Sequence, residues 1–379
     1  MDVTGLVGAI GVLIVVVVLV DAFETVVLPR RVNRRWRITV AVYRISWPAY
    51  RAVARWVRSA QQREVVLSYY GPASLLLLFA CWAGLLILGY ALAIWAFASP
   101  LTGAAGRSFG TATYSAASTF FTLGFGDAVA RRPGGRAIVV AAGGTGFAFL
   151  ALVVSYLPTL YQAFSRREIY ISQLDARAGS PPSAGELLAR NGADGLGELG
   201  PFLNDWESWS ADLLENVLSF PTLGYYRSHH DNQSWLAGLT VILDTCSLLL
   251  AGREDGPRRQ ARLTYAMCRH AAVDLAQVLQ AKPASGEDRL DGEALDRLRA
   301  RLADNGWQLP DDAIPHLAKL RAGYEPYVTG LSRRLLMALP EWTAREGAID
   351  SWQLTQLDER GRRPTSRRRG PRTVARREH

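Results

Sequence analysis

The sequence has little of what catalytic and disulfide-bonded proteins depend on. Only 3 cysteines occur in 379 residues: Cys81 lies in an apolar run, and Cys246 and Cys268 lie in segments expected to face a reducing compartment. That usage argues against a disulfide framework. No Walker loop, no Ser-His-Asp spacing and no cleft-like pair of carboxylates occurs, so the chain is not expected to be an enzyme and no cofactor is expected. His229-His230-Asp231 is the one histidine cluster, but adjacent positions face apart and no further ligand set completes a metal site, so it reads as structural or solvated. Period-two alternation is scarce, which excludes a sheet-rich fold. Gly195-Leu-Gly197-Glu-Leu-Gly200 formally spells a dinucleotide pattern. The preceding Leu187-Leu-Ala-Arg-Asn191 is helical in pattern, Pro201 follows at once and Glu198 would face a phosphate, so nucleotide binding is not expected.

Long apolar runs are what the sequence does have. Gly5 to Val20, Ala73 to Ala98 and Ala137 to Tyr156 approach or reach the length of a helix crossing a hydrocarbon layer of roughly 30 Å. The first run has no Lys or Arg before it and no small-residue cleavage site after it, so it reads as a retained membrane helix reaching about Leu28. Asp21 and Glu24, followed by Arg30, Arg31 and Arg34, suggest an ion-paired membrane exit; a carboxylate that senses protons inside the bundle is the alternative. From Arg30 to Glu64 there are ten Arg and one Glu, a bias that marks the cytoplasmic side. The expected topology is therefore a multi-pass protein of the cell membrane with its N-terminus outside and its C-terminal domain in the cytoplasm. In the basic segment Trp36, Trp47, Tyr50 and Trp56 interleave with arginines. This predicts an amphipathic helix in the membrane interface, broken near Pro48, with lipid rather than nucleic acid as its partner. A plain anchor and a collar that couples the membrane core to lipid are both compatible with it.

Between the second and third runs lies Ser118-Thr-Phe-Phe-Thr122-Leu123-Gly124-Phe125-Gly126-Asp127. Gly124 and Gly126 tolerate φ > 0, and alternating them with ordinary residues turns successive carbonyls toward one axis. Such an oxygen ladder replaces the water shell of a potassium ion. Irregular backbone at membrane depth is tolerated only where it is buried in protein or lines a watery cavity, which a filter does.

Here the chain resembles the potassium channels in which two transmembrane helices flank a pore loop, over roughly Ala73 to Leu160. Gly110 to Phe121 has the position of the family's pore helix, Gly135-Arg136 opens its inner helix, and Gly146 falls at its hinge glycine. The resemblance implies ion contacts from Thr122, Leu123, Gly124, Phe125 and Gly126, a bracing role for Asp127, and four chains around one axis. Phe121 replaces the small hydroxyl residue usual before the filter threonine, and Ser118 stands where some members carry a supporting glutamate. A second glycine-aromatic-glycine motif is missing, as is a helix with Arg at every third position, so one pore loop per chain and no steep voltage gating are expected. Ala142-Gly143-Gly144-Thr145-Gly146 suits close helix packing, with a hinge as the second role for Gly146, and Pro158 is expected to loosen the lower end of the third helix.

Beyond Ser165, helical patterns recur at about Gly185 to Asn191, Leu203 to Leu218, Ser234 to Leu250, Arg258 to Gln280, Glu293 to Asn305, His316 to Leu339 and Trp342 to Gln356. Trp235 to Ala251 approaches membrane length but holds Asp244 at its centre, and reads as a core helix. From Arg360 to His379 there are nine Arg and one Glu, with Pro, Ser and Gly and no apolar face. This tail is expected to be disordered and to meet anionic lipid or the acidic soluble domain.

The expected fold class is an all-α membrane protein of three transmembrane helices, a re-entrant pore helix and filter, and an all-helical cytoplasmic domain. Its expected divisions are 1–30, an N-terminal helix; 31–66, a basic interfacial segment; 67–164, the pore; 165–358, the soluble helices; and 359–379, the tail. A homotetrameric potassium channel regulated by its helical domain is the leading reading. A less selective cation channel and a membrane-anchored scaffold with a silent pore are the alternatives.

Overall fold

A computed structural model describes residues 3–26, 37–102, 107–192, 195–228, 233–252, 257–344 and 350, and every regular element among them is helical. Three helical stretches are long and apolar enough to cross a membrane: Val3–Val26, Gln61–Phe97 and Pro133–Ala178. The first is α1 (Val3–Val26), the second joins α3 (Ala60–Ser68) to α4 (Tyr70–Phe97), and the third is α6 (Pro133–Ala178). α1 lies antiparallel against α4, so its last turn sits beside the first half of α4, where Trp82 meets Asp21. The chain is thus a membrane protein with an all-helical remainder. His229, His230, Asp231 and the basic tail fall outside the described residues.

α2 (Ile38–Trp56) corrects the expectation of a break, because it runs through Pro48 as one helix. A proline removes a backbone donor and crowds the preceding turn. Trp47 next to it is held from outside: the indole is buried and donates Nε1–H to the Arg334 carbonyl at 3.0 Å. Tyr43, Trp47, Tyr70 and Tyr225 form one cluster with ring centroids 4.7 to 5.7 Å apart. α2 therefore packs between the start of α4 and the helical domain.

Asp21 carries this junction. Its buried carboxylate accepts hydrogen bonds from Ile38 N (3.1 Å), Thr39 N (3.2 Å), Thr39 Oγ1 (2.9 Å) and Trp82 Nε1 (2.9 Å), with Arg37 Nε at 3.6 Å. A carboxylate from α1 thereby satisfies the free N–H groups at the start of α2, where the helix dipole favours negative charge. Arg37 also pairs with Glu24 (3.8 Å), whereas Arg30, Arg31 and Arg34, the partners expected from the sequence, lie outside the described residues.

α6 runs 46 residues without interruption, past both Gly146 and Pro158, and ends at Gly179, whose φ is +86°. It crosses the boundary expected at residue 164 and enters the helical domain as a continuous rod. There Arg167 is buried, donating to the Leu223 and Tyr226 carbonyls (2.9 and 3.2 Å) and to Glu168. These carbonyls lie in and just after the 3-10 turn Pro221–Tyr225, which also bonds the start of α4 through Thr222 and Gly71.

The domain's core is α9 (Trp235–Ala251), buried from Trp235 to Leu250, as its reading as a core helix required. Around it pack α7 (Ala184–Asn191), α8 (Leu196–Ser219), α10 (Arg258–Val278), α12 (Ile314–Ala322) and α13 (Glu325–Leu335), with α11 (Gly292–Ala303) on α7. Asp244 is paired with Arg289 by two 2.9 Å bonds and accepts from the Tyr324 hydroxyl, so its charge is neutralised inside the core. The single helix expected from His316 to Leu339 is two, because Tyr324 turns inward to Asp244 and Pro326 opens a new helix. Residues 341–344 are not helical: Trp342 lies between the Arg289 and Arg321 guanidinia at 5.6 and 5.4 Å, and its carbonyl accepts from Gly185 N. The glycines at 195, 197 and 200 lie at the start of α8 rather than in a strand-to-helix turn, so the formal dinucleotide pattern has no phosphate loop to serve.

Candidate functional site

α5 (Phe109–Phe120) has 12 residues, about 18 Å, too short to cross a membrane. Ser108 caps it by accepting from Thr111 N at 3.3 Å, and it packs on α4 and α6. Its last turn makes the loop: Phe121 N bonds Ala117 O, Thr122 N bonds Thr119 O, and Leu123 N (2.8 Å) and Gly124 N (3.4 Å) share the carbonyl of Ser118. The hydroxyl of Ser118 turns back to Ser115 O at 3.4 Å, which leaves the Ser118 carbonyl as its contact with the loop.

Positive φ recurs at every second residue, +58° at Thr122, +59° at Gly124 and +78° at Gly126. The two glycines behave as their lack of a Cβ allows. Thr122 is β-branched and pays a steric penalty of about 1–3 kcal/mol for the same geometry, which the Ser118 carbonyl and the α5 terminus hold in place. Local propensity does not disclose it, because αL is assigned to glycine and not to threonine.

Beyond the loop, Ser115 Oγ donates to Ala128 O (3.2 Å), Val129 and Thr102 exchange two bonds (2.8 and 3.0 Å), and Arg136 Nε reaches Ala130 O (3.2 Å). Both legs of the loop are therefore fixed to helices. Phe125 stacks on Tyr114 with centroids 6.4 Å apart and planes 8° from parallel. Tyr114, Ser115 and Thr102 were not singled out from the sequence; Tyr114 sits eleven positions before its aromatic partner with no periodic pattern to link them.

Gly146 presses on the base of this unit. A Cβ there would lie 1.9 Å from the Phe120 carbonyl oxygen, so α6 touches the end of α5 backbone to backbone. Close packing is therefore its role in this conformation. At Gly144, expected to serve packing, an added Cβ would meet nothing within 4 Å outside its own helix turn. Tyr90 ties α4 to α6 through Thr145 Oγ1 at 2.7 Å.

A helix, a re-entrant loop of alternating backbone handedness and a second helix are the parts of an ion pore. Residues 76–163 match a family model described as an ion channel, the pore domain of two-helix potassium channels. That likeness spans 88 of the chain's 379 residues. No curated protein and no solved structure matches the chain. Among the described residues no group of three or more His, Cys, Asp and Glu is placed to hold a metal ion.

Proposed function

We propose that the chain assembles as a homotetramer and conducts potassium passively through four copies of the loop Thr122 to Asp127. The observation that carries this reading is the alternation of positive φ at Thr122, Gly124 and Gly126, which suits successive carbonyls facing one axis. Oligomerisation is favoured by the exposure of Phe121 (56%), Leu123 (58%) and Phe125 (65%) in the single chain, apolar surface that neighbouring loops would cover. Thr122, Leu123, Gly124, Phe125 and Gly126 contact the ion, Ser118 and Asp127 brace the loop, and Phe121 packs beneath it. The arginine bias between Arg30 and Glu64 puts the helical domain in the cytoplasm and the filter mouth outside. That domain regulates the pore through α6, and the basic tail meets anionic lipid.

Potassium flux into liposomes holding the purified full chain is the test. Potassium uptake blocked by barium, and abolished by Gly124→Ala or Gly126→Ala, is expected. Equal sodium and potassium uptake would assign a less selective cation channel, a reading that the bulky Phe121 favours. No uptake of either ion by an intact tetramer would leave a membrane-anchored scaffold.

A further inference from the structure

A cleft of about 630 Å³ opens where the last turn of α1, the first half of α2 and the ends of α8, α10 and α13 converge. Its position is specific. Glu24 and Thr25 of a membrane-spanning helix form one wall and Leu279 and Arg334 of the helical domain form another, so it lies at the membrane boundary on the side away from the filter mouth.

The cleft's charge is unevenly matched. Arg37 is already engaged by Asp21 and Glu24, and His270 lies 3.5 Å from Asp274. Arg44 has no carboxylate partner among the described residues. Arg334 donates its Nε–H to the Leu279 carbonyl, lines the cleft beside Tyr225 and has no carboxylate paired to it among the described residues. Two acids line the cleft, Glu24, which is paired with Arg37, and Glu215. The positive field extends beyond the rim: Arg51 has its proton affinity lowered by burial and then by Arg55 and Arg334. Between the arginines the floor is apolar and aromatic, with Leu218, Val278 and the parallel rings of Tyr43 and Tyr225.

Planar guanidinia beside an apolar floor recognise a phosphate carried on an apolar body, because the fork of donors matches two phosphate oxygens while the floor covers the rest. We propose that this cleft binds a phosphate-bearing anion between α2 and the helical domain, with Arg44 and Arg334 as its ligands. Two sources supply that chemistry, a lipid headgroup of the adjoining leaflet and a soluble phosphate compound. Because the ligand would touch both α2 and α13, its binding stabilises the docked arrangement of membrane helices on the domain. The inference stands on the cleft and does not require a conducting pore.

The test uses the full chain in phosphatidylcholine nanodiscs, with phosphatidic acid added in one arm and inorganic phosphate in the other. Thermal midpoint and the lipid retained in native mass spectrometry are the readouts. Phosphatidic acid is expected to raise the midpoint, and Arg44→Gln with Arg334→Gln to weaken its binding by about fivefold per arginine. Glu215→Gln, which keeps both arginines, should tighten binding and guards against a fold defect in the double variant. Protection by phosphatidic acid alone assigns the headgroup; equal protection by inorganic phosphate assigns a soluble ligand. Undiminished binding by the double variant, or an equal loss in the exposed pair Arg259→Gln and Arg262→Gln, would overturn the proposal.

Discussion

At the scale of single residues, Gly146 and Gly144 make a paired experiment. A methyl at Gly146 meets the Phe120 carbonyl, while one at Gly144 meets nothing outside its own helix turn. Gly146→Ala is expected to cost about 1–3 kcal/mol through forced movement of α5, whereas Gly144→Ala should be neutral or stabilising by up to about 1 kcal/mol from helix propensity alone. Thermal midpoints of the two variants in one detergent compare them directly. The thiols offer a second readout. Cys246 and Cys268 are fully buried, and burial raises both, Cys268 to about 12, so neither is nucleophilic in the folded chain. Cys81 is half-buried beside the groove between α2 and α4. A membrane-permeant maleimide should therefore modify one thiol per folded chain and all 3 after denaturation, counted by intact mass. Residue by residue, the glycines of the loop were legible because their chemistry is unique. Thr122 and Tyr114 were not, because their roles depend on tertiary partners that no local pattern announces.

At the scale of elements, periodicity located nearly every helix, and the misses have physical causes. Pro48 was expected to end a helix and does not, because Trp47 is anchored in the aromatic cluster and by Arg334 O. Pro326 was absorbed into one long helix and in fact starts another, because a buried partner for Tyr324 makes the turn favourable. Asp21 was legible as a charge near a membrane exit, but its four donors come from backbone and side chains up to 61 positions away, which sequence spacing does not disclose. Asp21→Ala strands those donors in a buried site and is expected to destabilise by about 3–5 kcal/mol. Trp82→Phe removes a single donor and should cost about 1 kcal/mol through that bond. Denaturant or thermal unfolding of the full chain separates the two; equal losses would mean that the indole, not the carboxylate, organises the junction.

At the scale of the molecule, the helical domain is held by ion pairs that span distant parts of the chain. Glu186 on α7 accepts two bonds from Arg301 on α11 (2.6 and 3.0 Å) and one from Arg190. The Arg301 hydrogen bonds hold its carboxyl below the usual carboxylate range, against the opposing effect of burial. A carboxyl with a depressed folded pKa contributes stability above its unfolded value, about 4.3, and loses it as the pH falls through the folded value. Thermal midpoints should therefore drop below about pH 4.3, and Glu186→Gln should flatten that acid limb while lowering the plateau above it.

The uninterrupted α6 has a mechanical consequence. At about 1.5 Å per residue its 46 residues make a rod roughly 69 Å long, so a tilt of about 5° around its upper end carries its lower end through about 6 Å. Gly146, seated against α5, lies about 20 Å along the rod from that end, so the same tilt shifts the α5 contact by less than about 2 Å. A displacement of the lower end is thus scaled down roughly threefold where α6 touches Phe120.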